Sequence, residues 1–336
     1  MMAIILRIIK QMLNDKRSLA LVIFAPILIM TFMYFIFGDS NYKPKINAVN
    51  LPSQIVSALE KQDATITNVV GNTDDILKDK TADAVLYIQD GKMIIKFYEP
   101  DSVKTSKITK TITTALNSIN PNAQTLNISF LYGNNDSNTF DRLIYVFLGI
   151  FSFFFVFLIS GISFIREQTL GTMERCMLTP ISRISVVLGV LIGFGIFGVL
   201  QSVVLVLYCK YVLSITVLGS LLTVILIMVL LSLVAVALGA VVSVFSNNEF
   251  QIMQFIPIII VPQIFFSGLI PIDTLPYNLD KLSYVMPVFY ACSGLNDVII
   301  KGYNVIQVLP YCLALVSFIF VLFIINVLLL KKYRTI

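Results

Sequence analysis

The sequence predicts an α-helical polytopic membrane protein with six transmembrane helices and an inserted α/β extracytoplasmic domain. Of the 336 residues, 57% are hydrophobic and only 13% are charged, whereas a soluble domain is charged at roughly 25% of its positions. The hydrophobic residues gather in runs of about 20, the length that crosses a hydrocarbon core of roughly 30 Å. One polar stretch, residues 38–140, interrupts these runs.

Residues 1–37 are predicted to form a cytoplasmic amphipathic helix and the first transmembrane span. When Met1–Lys16 is drawn as a helix, one side carries its apolar residues Ile4, Ile5, Ile8, Ile9 and Met12. The run Leu19–Phe37 is too long for the apolar region of a signal peptide and ends without a small-residue cleavage site. We therefore expect an uncleaved anchor.

Residues 38–140 are predicted to form an α/β domain outside the cell membrane. Short strand patterns alternate here with helix patterns, and Lys, Asp, Asn and Thr are frequent. The predicted strands are Ile46–Val49, Ala64–Val70, Ala84–Ile88 and Met93–Tyr98, and the predicted helices are Ser53–Gln62, Thr73–Lys80 and Ser102–Ile119. A polar linker around Asn134–Asn138 then leads back to the membrane.

Residues 141–336 are predicted to carry the other five spans. Their bounds are about 142–165, 186–209, 215–245, 250–270 and 308–330. Pro257 and Pro262 are expected to kink the fifth membrane span, since each removes a backbone donor. The half-apolar segment 271–307 is expected to lie at the outer face and to dip into the membrane as short helices.

The basic residues predict the orientation of the chain. The cytoplasmic segments would hold Arg7, Lys10, Lys16, Arg17, Arg166, Arg175, Arg183, Lys331, Lys332 and Arg334, and the short outer loops only Lys210, Lys281 and Lys301. This excess follows the positive-inside rule and places both termini in the cytoplasm. The net charge of +5 is then mainly a topology signal, and an anionic ligand is its weaker explanation. The Lys-, Asn- and Ile-rich composition favours a bacterial cytoplasmic membrane.

The residue types disfavour several kinds of chemistry. The chain has no His, which removes the usual general base and the commonest metal ligand, so no catalytic, metal or cofactor site is predicted. It also has no GxxxxGK[ST] phosphate loop, and nothing indicates nucleic acid as a partner. The four cysteines have no metal-type spacing; a bridge among Cys209, Cys292 and Cys312 stays open.

The charged segment 166–183, between two spans, is the best candidate for contact with a soluble partner. Drawn as a helix, it places Leu170, Met173, Met177, Leu178 and Ile181 on one stripe. Thr172 is the expected cap of a short helix that Pro180 ends. Docking into a groove of a soluble subunit and lying on lipid headgroups explain this pattern equally well.

This segment resembles the R-E-x-E-x-G-T-x-E-x-L-L-x-T-P-x-S-R pattern of ABC-2 type transporter permease subunits. Gln168 and Cys176 depart from the pattern, and its matching residues are Arg166, Glu167, Gly171, Thr172, Glu174, Leu178, Thr179, Pro180, Ser182 and Arg183. An outer-face series is also similar: Ser267, Gly268, Pro271, Pro276, Pro287, Tyr290, Lys301 and Gly302. The run Thr81–Ile88 resembles the subfamily with a large extracytoplasmic domain after the first transmembrane helix.

The resemblance implies a permease subunit of an ABC exporter, driven by two copies of a separate ABC ATP-binding subunit that carry ATP and Mg. It also implies a second permease copy or a paralogue, and alternating access that moves an amphiphilic, lipid-like or antimicrobial compound out of the cell. The implied ATPase-coupling residues are Arg166, Glu167, Leu170, Gly171, Thr172, Met173, Glu174, Arg175, Met177, Leu178, Pro180 and Arg183. Met1–Lys16 would be the connecting helix of the family; a helix that lies on the membrane surface explains the same pattern, and the two interpretations are compatible.

Other functions stay open. A non-transporting membrane receptor or secretion accessory would use the extracytoplasmic domain for binding, but it would not need the coupling segment. A secondary carrier is disfavoured because no charged residue lies near the middle of a span, and a membrane enzyme is disfavoured more strongly. The polar residues within the spans are better explained by hydrogen bonds between helices: Gln201, Ser202, Ser232, Gln251, Gln254 and Gln263.

Overall fold

A computed structural model describes residues 1–37, 45–49, 51–62, 64–68, 82–89, 92–97, 102–119, 139–179, 181–270 and 279–330. The chain divides into two compact units. One unit is formed by Met1–Gly38 together with Tyr132–Ile336, and the other by Asp39–Leu131.

The described α-helices are, in chain order, α1 (Met2–Asn14), α2 (Lys16–Phe37), α3 (Ser53–Glu60), α4 (Ser102–Ile119), α5 (Thr139–Thr169), α6 (Thr172–Met177), α7 (Arg183–Tyr211), α8 (Leu221–Val244), α9 (Glu249–Ile264), α10 (Pro287–Ile299) and α11 (Leu309–Leu329). Six of the described helices, α2, α5, α7, α8, α9 with its extension to Leu269, and α11, are long and apolar enough to cross a membrane. The predicted six spans are therefore confirmed by length and composition.

Helix α8 forms the centre of the larger unit. It packs against α5, α7, α10 and α11, and its residues Ala235 and Ala237 are fully buried. Small side chains let neighbouring helix backbones approach closely, which is how helices pack where water supplies no hydrophobic driving force. One hydroxyl pair adds a polar contact here, since Ser202 Oγ on α7 lies 3.1 Å from Ser232 Oγ.

Helices α2, α9 and α11 lie at the edge of this unit. In the most apolar stretch of each helix, only 17%, 22% and 17% of the residues, respectively, are buried. Their outward faces are apolar, and a hydrogen bond between Thr31 and Tyr208 (2.6 Å) joins α2 to α7. These faces suit contact with lipid or with another membrane chain.

Short helices are present in the described part of the segment 271–307, as predicted. A 3₁₀-helix covers Leu279–Val285 and α10 follows it. Gln263 on α9 fixes the start of α10, because its Oε1 accepts a hydrogen bond from the backbone N–H of Val288 at 3.1 Å. Most of α10 is buried among α5, α8 and α11.

The smaller unit contains a four-stranded sheet with the order β2-β1-β3-β4. Its strands are β1 (Lys45–Val49), β2 (Thr65–Asn68), β3 (Ala84–Gln89) and β4 (Lys92–Phe97). β1 runs parallel to both of its neighbours, whereas β3 and β4 form an antiparallel pair. The core beneath the sheet includes Ile46, Leu59, Leu86, Ile108 and Ile112, from strands and from both described helices of this unit.

The four strands lie where they were predicted, and their ends differ from the predicted ends by at most two residues. The predicted helix Thr73–Lys80 and the linker at Asn134–Asn138 fall outside the described residues. All four cysteines are free, and Cys209, Cys292 and Cys312 are buried thiols. The bridge that the sequence left open is therefore not formed in this structure.

Candidate functional site

The segment 166–183 is not one continuous helix, and the short helix expected to begin near Thr172 is present as α6. Helix α5 continues to Thr169, a turn at Leu170–Gly171 follows, and α6 covers only Thr172–Met177. Gly171 adopts a left-handed backbone with φ of 66°, which ends α5 in the manner of a C-terminal glycine. Arg183 is the first residue of α7.

The turns on either side of α6 expose large apolar side chains. Leu170 is 69% exposed and Leu178 is 85% exposed. Arg175 is also exposed, and Thr172 is the first residue of α6 instead of its cap. The side chains of Met173, Glu174 and Met177, and all of Pro180, lie outside the described part of the chain.

Helix α7 begins with a regular cap. Ser182 is its N-cap, and the Ser182 hydroxyl accepts a hydrogen bond from the backbone N–H of Ser185 at 3.2 Å. Such a cap satisfies one of the free backbone donors of the first turn. Helix α6 is thus a short element between two well-defined helix ends, and it packs chiefly against the end of α5.

Arg166 faces other helices of the same chain. Its Nε lies 2.7 Å from Glu249 Oε1 at the start of α9. Its Nη1 lies 3.1 Å from Asp15 Oδ2, at the junction of α1 and α2. One planar guanidinium therefore joins three parts of the helical unit, which suits the fork geometry of Arg.

Glu167, the next residue of α5, forms an ion pair with Arg7 of α1. Arg7 Nη2 lies 2.5 Å from Glu167 Oε2, and Glu167 is only 6% exposed. A second nitrogen of the same guanidinium, Nη1, lies 3.3 Å from the Cys176 sulfur on α6. We call Arg7, Asp15, Arg166, Glu167 and Glu249 the ion-pair cluster.

Asp15 also caps α2. Its carboxylate accepts hydrogen bonds from the Ser18 hydroxyl at 2.7 Å and from the Ser18 backbone N–H at 3.2 Å. These hydrogen bonds, and then the positive charge of Arg166, hold the pKa of Asp15 below its ordinary value. Asp15 therefore stays ionised in neutral solution.

Helix α1 lies directly on α7. Its residues Ile4 and Ile8 pack where α7 has Gly189 and Gly193, and a Cβ added at Gly193 would lie 3.0 Å from Ile8 Cβ. This approach is tighter than ordinary van der Waals contact, so a side chain at Gly193 would require Ile8 to shift by a few tenths of an ångström. Gln168 adds a link to α8 through Ser243 Oγ, 3.1 Å from its Nε2.

The predicted outer-face residues hold backbone turns and α10 in place. Gly268 and Gly302 have positive φ angles of 92° and 72°, and Pro287 begins α10. The Ser267 hydroxyl donates to the Ile264 carbonyl at 2.7 Å, and the Tyr290 hydroxyl donates to the Tyr284 carbonyl at 3.0 Å. Pro271 and Pro276 lie outside the described residues.

Lys301 forms an ion pair at the same end of the molecule. Its Nζ lies 2.6 Å from Asp297 Oδ1, and Asp297 Oδ2 accepts a hydrogen bond from the Tyr311 hydroxyl at 3.1 Å. The carboxylate thus joins α10 to α11. Within the described part of the chain, no group of three or more metal-ligating side chains is found.

Sequence reasoning placed Arg166 and Glu167 on a docking surface, whereas the structure turns them towards α1 and α9. It missed Asp15 and Glu249 as their partners. One local signal was available for Asp15, because Asp directly before the start of a helical run is a typical N-cap. Nothing local pairs Arg166 with Glu249, which is 83 positions away.

Comparison with known proteins agrees with the architecture. A family model described as "ABC-2 family transporter protein" matches residues 16–328. ABC transporter G family member 20 of Dictyostelium discoideum is 27% identical over 173 residues, which are 51% of this chain and 24% of that protein. Probable multidrug ABC transporter permease YbhS of Escherichia coli (strain K12) is 30% identical over 139 residues, 41% of this chain and 37% of that protein. This chain thus spans well under half the length of either relative.

Proposed function

The chain belongs to the ABC-2 transporter family, and from this premise we propose that it is the permease subunit of an ATP-driven exporter. In this proposal two copies of a separate ABC ATP-binding subunit hydrolyse ATP with Mg, and α6 with its flanking turns transmits their motion. A second permease, identical or paralogous, completes the transporter. The substrate path lies between the two permeases, along α5 and α9.

The observation that carries this proposal is the exposure of Leu170 and Leu178 beside the ion-pair cluster. Two large apolar side chains are exposed in the turns that flank a short helix at a polar end of the bundle, where burial against a soluble partner is favourable. Immediately behind them, Arg166 and Glu167 connect the end of α5 to α1 and α9. A displacement of α6 is therefore transmitted through the end of α5 to α1 and α9.

The coupling segment needs a partner that binds ATP, because this sequence has no phosphate-binding loop of the GxxxxGK[ST] type. The ATP-binding subunit can shift the permease between two packings only as far as it binds one packing more tightly than the other. The exposed surface of α6 would contact the ATP-binding subunit differently in the two packings, which is what alternating access requires.

An amphiphilic, lipid-like or antimicrobial substrate is supported by the composition of the spans. The charged residues of the described spans lie near helix ends, as at Arg142, Arg166, Arg183, Lys210 and Glu249. A charged substrate would lack ionised partners along most of such a path. The name of the E. coli relative, a probable multidrug permease, points in the same direction.

The proposed location is the bacterial cytoplasmic membrane, with both termini in the cytoplasm and residues 38–140 outside. The support is the excess of basic residues in the segments assigned to the cytoplasm. Protease added to intact cells should cut within 38–140 and should leave the 166–183 segment intact. Protection of 38–140 in intact cells, with cutting after permeabilisation, would reverse this topology.

The coupling role is tested with the double variant Leu170→Asp/Leu178→Asp. The chain is purified in mild detergent together with its ATP-binding subunit, and bound ATPase activity is measured per inserted permease. We expect the double variant to insert normally and to lose the bound activity, because Asp at these positions opposes burial against the partner.

The matched control is Ile306→Asp. Ile306 is 79% exposed in the turn before α11, at the opposite end of the bundle, so this change should leave bound ATPase unchanged. Equal loss in both variants would mean general damage and would refute the coupling role. A stable wild-type chain that binds no ATPase would favour a receptor or secretion accessory.

A further inference from the structure

Helix α1 has a second apolar face that no part of the described chain covers. Its buried residues Ile4, Ile5, Ile8 and Met12 face the bundle. On the other side, Met2 is 69% exposed, Leu6 is 51% exposed and Leu13 is 53% exposed. Met2, Leu6 and Leu13 follow the spacing of one stripe along a helix, so this is a continuous outward face.

Basic side chains border this outward face. Lys10 is exposed on α1, one helical turn after Leu6 and one before Leu13. Lys16 and Arg17 are exposed at the start of α2, immediately after α1. In the described part of the chain, none of these three cations forms an ion pair.

The acidic residues nearby are already engaged. Asp15 and Glu249 bind Arg166, and Glu167 binds Arg7. The cations Lys10, Lys16 and Arg17 are therefore not neutralised by this part of the protein. What covers them must bring its own negative charge, together with apolar surface for Leu6 and Leu13.

The position of α1 fixes where that surface is. Lys16 is the first residue of the first membrane-spanning helix, and a spanning helix begins at the level of the lipid headgroups. A single residue, Asp15, separates it from α1. A helix at this level, with one apolar face and bordering cations, has the character of an interfacial helix that selects anionic lipid.

We propose that the outward face of α1, with Lys10, Lys16 and Arg17, is a binding surface for anionic phospholipid in the adjacent leaflet. Leu6 and Leu13 enter the acyl boundary, and the three cations hold the phosphate and other anionic groups of the lipid heads. Arg7 on the same helix holds Glu167, so lipid that fixes α1 also fixes the end of α5.

The absence of tryptophan from the sequence allows a direct test. Leu6→Trp introduces a single fluorescent tryptophan on the outward face. The purified chain is reconstituted in phosphatidylcholine vesicles that contain either brominated phosphatidylglycerol or brominated phosphatidylcholine at the same mole fraction. Bromine quenches tryptophan only at short range, so the ratio of the two quenching constants reports which lipid is enriched beside residue 6.

We expect brominated phosphatidylglycerol to quench more strongly than brominated phosphatidylcholine, since each cation adds about a fivefold preference for an anionic over a neutral lipid surface. In the Leu6→Trp background, Lys10→Gln/Arg17→Gln should bring the ratio severalfold closer to one. The matched pair Lys210→Gln/Lys281→Gln, which removes two cations from the opposite end, should leave the ratio unchanged. Leu13→Trp gives an independent reading of the same face.

Equal quenching by the two lipids would show lipid contact without selection and would overturn the proposal. Absence of quenching by either lipid would also overturn it, because the face would then be covered by protein, such as a second copy of the chain. The test uses no nucleotide or ATP-binding subunit. Its failure is therefore distinguishable from failure of the ATPase-coupling proposal.

Discussion

Arg166 on α5 and Glu249 on α9 form an ion pair with 2.7 Å between Nε and Oε1, although 83 positions separate them in the sequence. The same guanidinium reaches Asp15, 3.1 Å away. The end of α5 is thus joined by ion pairs to the first residue of α9 and to the residue that precedes α2.

Arg166→Lys should weaken this connection while keeping its charge. A single ammonium cannot reproduce the forked contacts with Glu249 and Asp15. We therefore expect the free energy of unfolding to fall by about 1 kcal/mol, the upper range for partly exposed ion pairs. The apparent melting temperature in detergent measures it. Arg17→Lys is the control, since Arg17 is exposed without an ion pair in the described residues. Equal melting of Arg166→Lys and wild type would contradict the connecting role.

Arg7→Met should destabilise the chain more than the double variant Arg7→Met/Glu167→Met. The Glu167 side chain is only 8% exposed, and the single change removes the Arg7 cation from its carboxylate. Stranding a buried charge costs about 3 kcal/mol, whereas replacing both partners with apolar groups is often nearly neutral. Thermal melts of Arg7→Met, Glu167→Met and the double variant, compared with wild type, complete a double-mutant cycle. Additive losses would mean that the two residues act independently.

Gly193→Ala should displace α1 from α7. The new Cβ would lie 3.0 Å from Ile8 Cβ, and overpacking of this kind costs about 1–3 kcal/mol. Faster trypsin cleavage after Arg7 or Lys10 would report the displacement. Gly195→Ala is the control, because its Cβ would meet only the terminal Cδ2 of Leu233. Unchanged cleavage in Gly193→Ala would refute the close packing of α1.

Gln201→Leu should stabilise the chain. Gln201 is 1% exposed, and among the described residues neither its Oε1 nor its Nε2 has a hydrogen-bond partner. An unsatisfied buried polar group costs about 1–3 kcal/mol, which Leu removes at similar volume. Ser202→Ala should instead destabilise slightly, since the Ser202 hydroxyl is bonded to Gly198 and Ser232. A lower melting temperature for Gln201→Leu would show that the amide is satisfied in the assembled protein.

The Lys301–Asp297 pair should lose its effect in strong alkali. The hydrogen bond to Asp297 raises the pKa of Lys301 above its ordinary value of 10.5. A raised pKa means that the stabilisation is complete below 10.5 and is lost as the pH rises through the value in the folded protein. Lys301→Arg should keep its melting temperature through this range. A parallel decline of Lys301→Arg and wild type would assign the alkaline loss to other groups.

The spans and strands were predictable because their periodicity is local. Runs such as Leu19–Phe37 show their length directly, and Ala84–Ile88 is a short continuous apolar run of the kind that forms a buried strand. The short helix near Thr172 was predictable from Gly171 and Thr172, although it ends at Met177, before Pro180. The ion pairs of Arg166 depend on residues from other helices, so no local pattern reveals them.

During synthesis, α1 emerges long before the residues that hold it in place. Arg7 and Glu167 are 160 positions apart, which corresponds to on the order of ten seconds of translation. The glycines of α7 that receive Ile4 and Ile8 are made later still. Helix α1 can therefore take its packed position only after α5 and α7 have been made, and its docking marks completed insertion of the α5–α7 hairpin.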